Sequence, residues 1–184
     1  MDRRLLAAIA FVAVAVFAVV LVRRGGGGDD APLPAGYYRI DYVVDGDTVA
    51  LRGDIPHVRL LQIDTPEVYG TEECFGKNAS AETKKLLPKG TVIRLEQDPA
   101  TDATDMYGRL LRTVIRASDN LNVNVFLVQQ GFAAPYFFDD VRGKYATEID
   151  TDAQQAKVKG EGLWAACPQT PYDPTHGVDT GPPP

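Results

Sequence analysis

The chain has 184 residues, 45% of them hydrophobic, with 19 Lys+Arg against 25 Asp+Glu and only two His and two Cys. That rules out a four-thiolate zinc site and any multi-His metal centre. No G-x-x-x-x-G-K-[ST], G-x-G-x-x-G or G-x-S-x-G string is present to build a nucleotide cradle or a serine-hydrolase elbow. The net charge is −6, and residues 36–167 hold 15 basic against 20 acidic side chains. A passive binder of phosphates carries the opposite balance, so a polyanionic substrate here would need a bound cation or a local basic pocket.

Leu5 to Val22 has no charged or polar side chain, and Arg3-Arg4 and Arg23-Arg24 flank it. At about 1.5 Å per residue it spans roughly 27 Å, the hydrocarbon thickness of a bilayer. It reads as an uncleaved anchor. A cleaved signal peptide is the alternative, although its apolar part is usually about 7–15 residues and a small-residue cleavage site follows. Gly25–Gly28, Asp29-Asp30 and the stretch to Pro34 read as a flexible tether. The expected organisation is a signal anchor or signal peptide over 1–24, a linker over 25–36, a folded domain over 37–167 and a disordered Pro-rich tail over 168–184.

Within the domain, Tyr37–Val44 and Asp47–Arg52 read as a hairpin around Asp45-Gly46. His57–Ile63 reads as a third strand, ended by the extended bias that Pro66 imposes on Thr65. Lys77–Leu87 is a helix closed by Pro88-Lys89-Gly90. Thr91–Glu96 and Arg109–Arg116 are strands, separated by a polar loop over Asp98–Thr104. Asn122–Gln130 and Tyr145–Lys159 are helices, stopped by Gly131 and Gly160. This order, β-β-β-α-β-β-α-α, predicts an α+β domain: the five-stranded Greek-key barrel called the OB-fold, with three helices.

Four strings carry the chemistry: Asp45-Gly46-Asp47-Thr48, the run from Arg59 to Glu67, Asp105-Met106-Tyr107-Gly108-Arg109, and Gly131 to Tyr136. Asp47 starts a strand and Asp64 ends one, so a small barrel could bring both carboxylates to one rim. Two carboxylates with a backbone carbonyl and waters suit Ca²⁺. Arg59 and Arg109 lie on different strands, and guanidinium forks grip phosphate bidentately. Glu67 supplies a carboxylate that could orient and deprotonate water. A cation, two arginines and a carboxylate are the parts for phosphodiester hydrolysis. Each string alone has an ordinary reading as a turn, a strand end or a surface ion pair; their joint occurrence favours the chemical one.

Taken together, these strings resemble the staphylococcal nuclease, or thermonuclease, family over about residues 37–164. Val58-Arg59-Leu60-Leu61-Gln62-Ile63-Asp64-Thr65-Pro66-Glu67 is the strongest segment. The resemblance implies an OB-fold and a Ca²⁺-dependent endonuclease that cuts DNA and RNA at the 5′ P–O bond and leaves 3′-phosphates. It implies that Asp47, Asp64 and the Thr65 carbonyl hold the metal, that Arg59 and Arg109 contact the phosphate, and that Glu67 is the general base. Tyr107 and Tyr136 match substrate-binding positions. Met106 stands where the best-known member has lysine, and Phe138 where it has a second pocket tyrosine; the loop after Glu67 is shorter. The alternative is a non-catalytic OB-fold module that binds nucleic acid or protein, as relatives lacking the catalytic residues do.

Cys74 and Cys167 are the only cysteines. A bond between them would close a loop of about 90 residues, worth on the order of 4 kcal/mol in the chain-entropy model; two buried free thiols are the alternative. The export segment favours the bond. A nuclease without obvious sequence specificity would also endanger its own cytoplasm. The expected product is therefore an extracytoplasmic monomer held by residues 5–22, or a secreted one if residues 1–24 are removed, with DNA and RNA as substrates and no protein partner.

Overall fold

A computed structural model describes residues 31–184; the apolar span at residues 5–22 and the glycine run of the tether lie outside the described residues. No helix among the described residues is long and apolar enough to cross a membrane.

The hairpin forms as its turn chemistry demands. Strand β1 (Tyr37–Val43) pairs antiparallel with β2 (Thr48–Leu51), with an irregularity between Ile40 and Tyr42. Such a bulge bends a strand and increases its twist, which a closing sheet requires. β2 pairs with β3 (Val58–Leu60), and β1 also pairs with β5 (Val92–Glu96), which pairs with β6 (Leu110–Arg116). A parallel ladder between β3 and β6 closes these five strands into a mixed barrel. The short β7 (Leu121–Asn122) extends the sheet beyond β6.

Three main helices pack on the barrel: α1 (Gly76–Leu86), α2 (Val123–Gln129) and α3 (Ala146–Lys159), with a single turn α4 (Leu163–Ala166) after them. The side chain of Asn122 caps α2 by accepting the Val125 N–H at 3.2 Å. Ile40, Val49, Val58, Leu60, Ile93 and Val114 point into the barrel and are fully buried, and Leu127, Val128, Phe137, Ile149 and Ala153 join them from the helices and the loop. Each large aliphatic side chain so buried contributes about 1.5–3 kcal/mol.

Two expectations differ from what forms. The third strand, read as continuous over His57–Ile63, breaks after Leu60. Gln62 takes a left-handed backbone (φ 66°), so Ile63–Asp64 (β4) leaves the barrel and pairs with Ala134–Pro135 (β8). Buried Asn124 braces the break: its side-chain NH₂ donates to the Leu61 carbonyl at 2.9 Å, and its side-chain oxygen accepts the Val114 N–H at 3.0 Å.

The segment from Pro168, expected to be disordered, makes specific contacts in the structure. Tyr172 lies tilted against Trp164 with ring centroids 5.8 Å apart and donates to the Asp150 carboxylate at 2.6 Å, and Thr170 and Thr180 are buried. Proline content reports an inability to form ladders. It does not report that Tyr172 and Val178 have apolar neighbours to cover.

Candidate active site

The turn before β2 builds the site's floor. The Asp45 carboxylate accepts the N–H groups of Asp47 (3.1 Å) and Thr48 (2.7 Å), the self-bonding turn that Asp favours. Thr83 on α1 donates its hydroxyl to the Gly46 carbonyl at 2.6 Å and fastens the turn from below. Gly46 passes so close to Thr65 that a Cβ there would collide with the threonine hydroxyl. The turn and the Asp64-Thr65 strand end are therefore pressed together.

Asp47 is buried at this junction. One carboxylate oxygen accepts both the N–H and the hydroxyl of Thr65, each at 3.0 Å. The other accepts the Thr48 hydroxyl at 3.1 Å and faces Arg59 Nε at 3.1 Å. Arg59 holds its place with Nη1, which donates to the carbonyls of Leu60 (2.8 Å) and Ile63 (2.7 Å), while Nη2 reaches Asp64 at 2.5 Å. The Asp64 oxygen not bonded to Arg59 accepts the Val178 N–H at 2.8 Å. Asp47 and Asp64 thus converge on one guanidinium, because the β2–β3 register sets Thr48 opposite Arg59 and the break at Gln62 turns Asp64 back.

Glu67 stands exposed beside this cluster, its N–H bonded to the Glu73 carboxylate at 3.0 Å. Arg109 approaches from β6's start. Its Nε pairs with Asp105 at 2.6 Å, its Nη1 lies 3.5 Å from the Thr48 hydroxyl, and its guanidinium sits 5.5 Å over the Tyr107 ring. Asp105 anchors the turn by accepting the N–H groups of Tyr107 and Arg109, each at 2.9 Å.

The electrostatics are those of crowded carboxylates. Burial, then the charges of Asp47 and Glu67, push Asp64 up to about 7 against the pull of Arg59. Burial followed by Asp47 raises Asp45, and partial desolvation followed by Asp47, Asp45 and Glu73 raises Glu67. Burial works against the Arg59 charge, yet Asp47, Asp64, Asp45 and Glu67 outweigh it and raise its pKa. Asp105 moves the other way: burial opposes its charge, but its bonds from Arg109 hold it below the usual carboxylate range.

Such an excess of negative charge around one guanidinium suits a hard cation, and the oxygens of Asp47 and Asp64 with the Thr65 carbonyl are the donor types Ca²⁺ takes. Among the described residues no three His, Cys, Asp or Glu side chains are grouped to hold a metal ion; the expected site is of a different kind, with two carboxylates, one carbonyl and waters.

Beside the arginines opens a cleft of about 510 Å³, lined by Arg59, Arg109, Met106, Tyr107, Tyr136 and Phe138. The Tyr136 N–H bonds to the Gln62 carbonyl at 3.0 Å, and its ring meets Phe138 edge-on at 6.3 Å. Met106, Tyr107 and Phe138 are strongly exposed. The structure therefore gathers Asp47, Asp64, Thr65, Arg59, Glu67, Arg109, Tyr107 and Tyr136 around one cluster and its cleft. Cys74 and Cys167 lie outside it, joined as a disulfide.

Sequence reasoning gave no chemical role to Asp45, Thr48, Glu73 or the Val178 N–H. Asp45 and Thr48 sit in a string already singled out, so their signal was present. Glu73 and Val178 carry no local pattern.

The staphylococcal nuclease homologue family model matches residues 57–166. The chain is 34% identical over 131 residues to the SPbeta prophage-derived endonuclease YokF of Bacillus subtilis, covering 68% of this chain and 43% of that protein. It is 34% identical over 143 residues to the endonuclease YhcR of the same organism, covering 68% of this chain and 11% of that protein. It is 31% identical over 134 residues to the succinoglycan biosynthesis protein ExoI of Rhizobium meliloti, covering 69% and 64%. The chain thus spans less than half the length of the two Bacillus relatives. With the family model matched over more than half of the sequence and Arg59 to Ile63 within that match lining the cleft, the chain belongs to the staphylococcal nuclease family.

Proposed function

We propose that this chain is a Ca²⁺-dependent endonuclease that hydrolyses DNA and RNA at the 5′ P–O bond and leaves 3′-phosphate ends, on a barrel of the OB-fold type. The observation that carries the reading is the convergence of Asp47 and Asp64 on Arg59 at the edge of a cleft that also holds Arg109. Membership of the family and the endonuclease names of the two Bacillus relatives support it.

Asp47, Asp64 and the Thr65 carbonyl are the groups that would hold Ca²⁺, and the ion would supply neutralising charge to the phosphoryl oxygens. Arg59 keeps its Nη1 on two backbone carbonyls, so its Nε and Nη2, now on the carboxylates, are the N–H groups to turn toward a phosphate. Arg109, half-exposed at the cleft, meets the phosphate from the other side and stabilises charge as it grows in the transition state. Glu67 accepts a proton from the attacking water as the new P–O bond forms, and the 5′-oxygen leaves with the electron pair of the broken bond and takes a proton from solvent water. Tyr136 and Tyr107 offer ring faces to bases exposed in a single strand.

The enzyme would act as a monomer outside the cytoplasm, tethered through residues 5–22 or released. The disulfide supports an oxidising compartment. The test incubates the protein with single-stranded DNA and RNA, with Ca²⁺ and then with chelator, alongside Glu67→Gln, and reads product ends by mass. Ca²⁺-dependent 3′-phosphate products, lost in the variant, are expected. A folded, Ca²⁺-bound protein that leaves both substrates intact would refute the activity, and 5′-phosphate ends would refute the cleavage direction.

A further inference from the structure

The stretch from Glu67 to α1 has no regular structure, yet it is tied at several points. The Glu67 N–H donates to the Glu73 carboxylate and the Glu67 carbonyl accepts the Glu73 N–H, both at 3.0 Å. The next residue, Cys74, is bonded to Cys167 at the end of α4. Its peptide groups are held by the C-terminal segment: the Cys74 N–H donates to the Gly181 carbonyl and the Cys74 carbonyl accepts the Thr180 hydroxyl, each at 2.7 Å.

The same segment touches the carboxylate cluster. The Val178 N–H donates to Asp64 at 2.8 Å, and the backbone at Gly177 runs so near that a Cβ there would lie 2.9 Å from that same oxygen. Further back, the Pro174 carbonyl accepts the Phe137 N–H at 2.6 Å, next to Tyr136. One short length of chain thus contacts the loop bearing Glu67, the Asp64 carboxylate and the wall of the cleft.

We infer that residues 173–181, together with the Cys74–Cys167 bridge, form a strap that positions Glu67 and Asp64; the inference rests on the nuclease reading above. A carboxylate offers about four acceptor sites. The Val178 N–H takes one and fixes the carboxylate's rotation, leaving lone pairs for a cation. Outer contacts of this kind govern ligand orientation, and their loss typically costs 10–100-fold in metal affinity. Glu67 stands exposed on an irregular loop, where a displacement of about 1 Å can cost on the order of 100-fold in rate. The disulfide and the two hydrogen bonds at the Cys74 peptide groups remove that freedom. Val178 and Thr180 are positioning residues, since neither reaches the reacting atoms.

The test compares the full chain with a chain ending at Tyr172, which keeps Tyr172 on Trp164 and Asp150, and with Cys74→Ala/Cys167→Ala. Ca²⁺ affinity is read by calorimetry, kcat and KM on single-stranded DNA, and exchange of the Glu67 and Cys74 amides by hydrogen–deuterium exchange. The shortened chain should keep its fold, bind Ca²⁺ about 10–100-fold more weakly, lose roughly tenfold or more in kcat at saturating Ca²⁺ with little change in KM, and exchange both amides faster. The disulfide variant should lower kcat and speed exchange while moving Ca²⁺ affinity less. Unchanged affinity, kcat and exchange would overturn the strap. Tighter Ca²⁺ binding or faster turnover would overturn it too, by making the segment an inhibitory cover. Should truncation unfold the protein, Val178→Pro removes the backbone N–H that the segment donates to Asp64, and unchanged Ca²⁺ affinity in that variant would overturn the idea. If the full chain cleaves nothing, the nuclease reading fails, while calorimetry and exchange still decide the strap.

Discussion

Arg59→Ala and Arg109→Ala should differ sharply in stability while both remove activity. Arg59 makes hydrogen bonds to the carbonyls of Leu60 and Ile63 and to Asp64, and its Nε is ion-paired with Asp47. Its side chain is 12% exposed and those of its acidic partners 8% and 18%. Truncation would leave two adjacent carboxylates without their shared counter-charge and two carbonyls without a donor. Breaking a buried pair in this way costs about 3–5 kcal/mol. Asp64, already pushed up to about 7, can relieve part of the loss by taking a proton, so the lower end of that range is expected. Arg109 is 31% exposed and paired with Asp105 four residues away, an arrangement worth about 0–1 kcal/mol. Urea unfolding at neutral pH in chelator should therefore separate the two variants by about 2 kcal/mol or more. Added Ca²⁺ should return part of the Arg59→Ala loss, because a cation between Asp47 and Asp64 replaces the missing charge. Both substitutions should lower kcat by about 10²–10³. Equal urea midpoints for the two variants in chelator would refute the structural role given to Arg59, and native turnover by Arg109→Ala would remove that residue from the chemistry.

Away from the site, Glu96 offers a pH test. Burial opposes its charge, but bonds from Arg94, Tyr145 and Lys144 carry it down to about 2. Because its folded pKa lies below the unfolded one, its stabilisation is complete above the ordinary glutamate range and is lost as pH falls from there toward 2; the melting-point gap to Glu96→Gln should shrink over that window, and a gap independent of pH would contradict the assignment. Thr83→Val removes the hydroxyl bonded to the Gly46 carbonyl in this buried contact and should cost about 1–3 kcal/mol in urea unfolding; no measurable loss would mean the Asp45–Asp47 turn holds itself. Tyr136→Ala should raise KM for single-stranded DNA by roughly 5- to 150-fold, the equivalent of about 1–3 kcal/mol of base stacking, with kcat changed far less; an unchanged KM would place the ring in the wall of the cleft alone.

What could be read from the sequence divides along the range of the interactions. Strands β1, β2, β5 and β6 and the three main helices follow from alternation, helical spacing and Gly or Pro stops, all local signals. The string from Arg59 to Glu67 showed which residue types the site uses, since a short segment carries them in fixed order. The break at Gln62 was hidden because a buried apolar run looks the same whether it continues or turns, and the left-handed backbone is held from outside by Asn124 and by pairing with Ala134-Pro135. The contacts of the C-terminal segment were hidden for the same reason. They join Val178 to Asp64 and Thr180 to Cys74 across more than a hundred residues, and no period or motif encodes such a pair.

The charge balance explains why the two arginines are built so differently. A protein of net charge −6 gains little from general attraction to a polyanion. Adding substrate phosphate beside Asp47 would add one more negative charge to a cluster in which Asp45, Asp64 and Glu67 are already raised toward protonation by burial and by neighbouring carboxylates. Arg59 is committed to that cluster and cannot offset the newcomer without abandoning Asp47 and Asp64. Arg109 is more exposed and is the cationic side chain lining the cleft that has only one carboxylate to leave. On the proposed calcium-dependent reading, substrate capture should become electrostatically favourable once a cation has taken over the carboxylates. Metal and substrate should accordingly bind with positive coupling, each raising the apparent affinity for the other by the same factor.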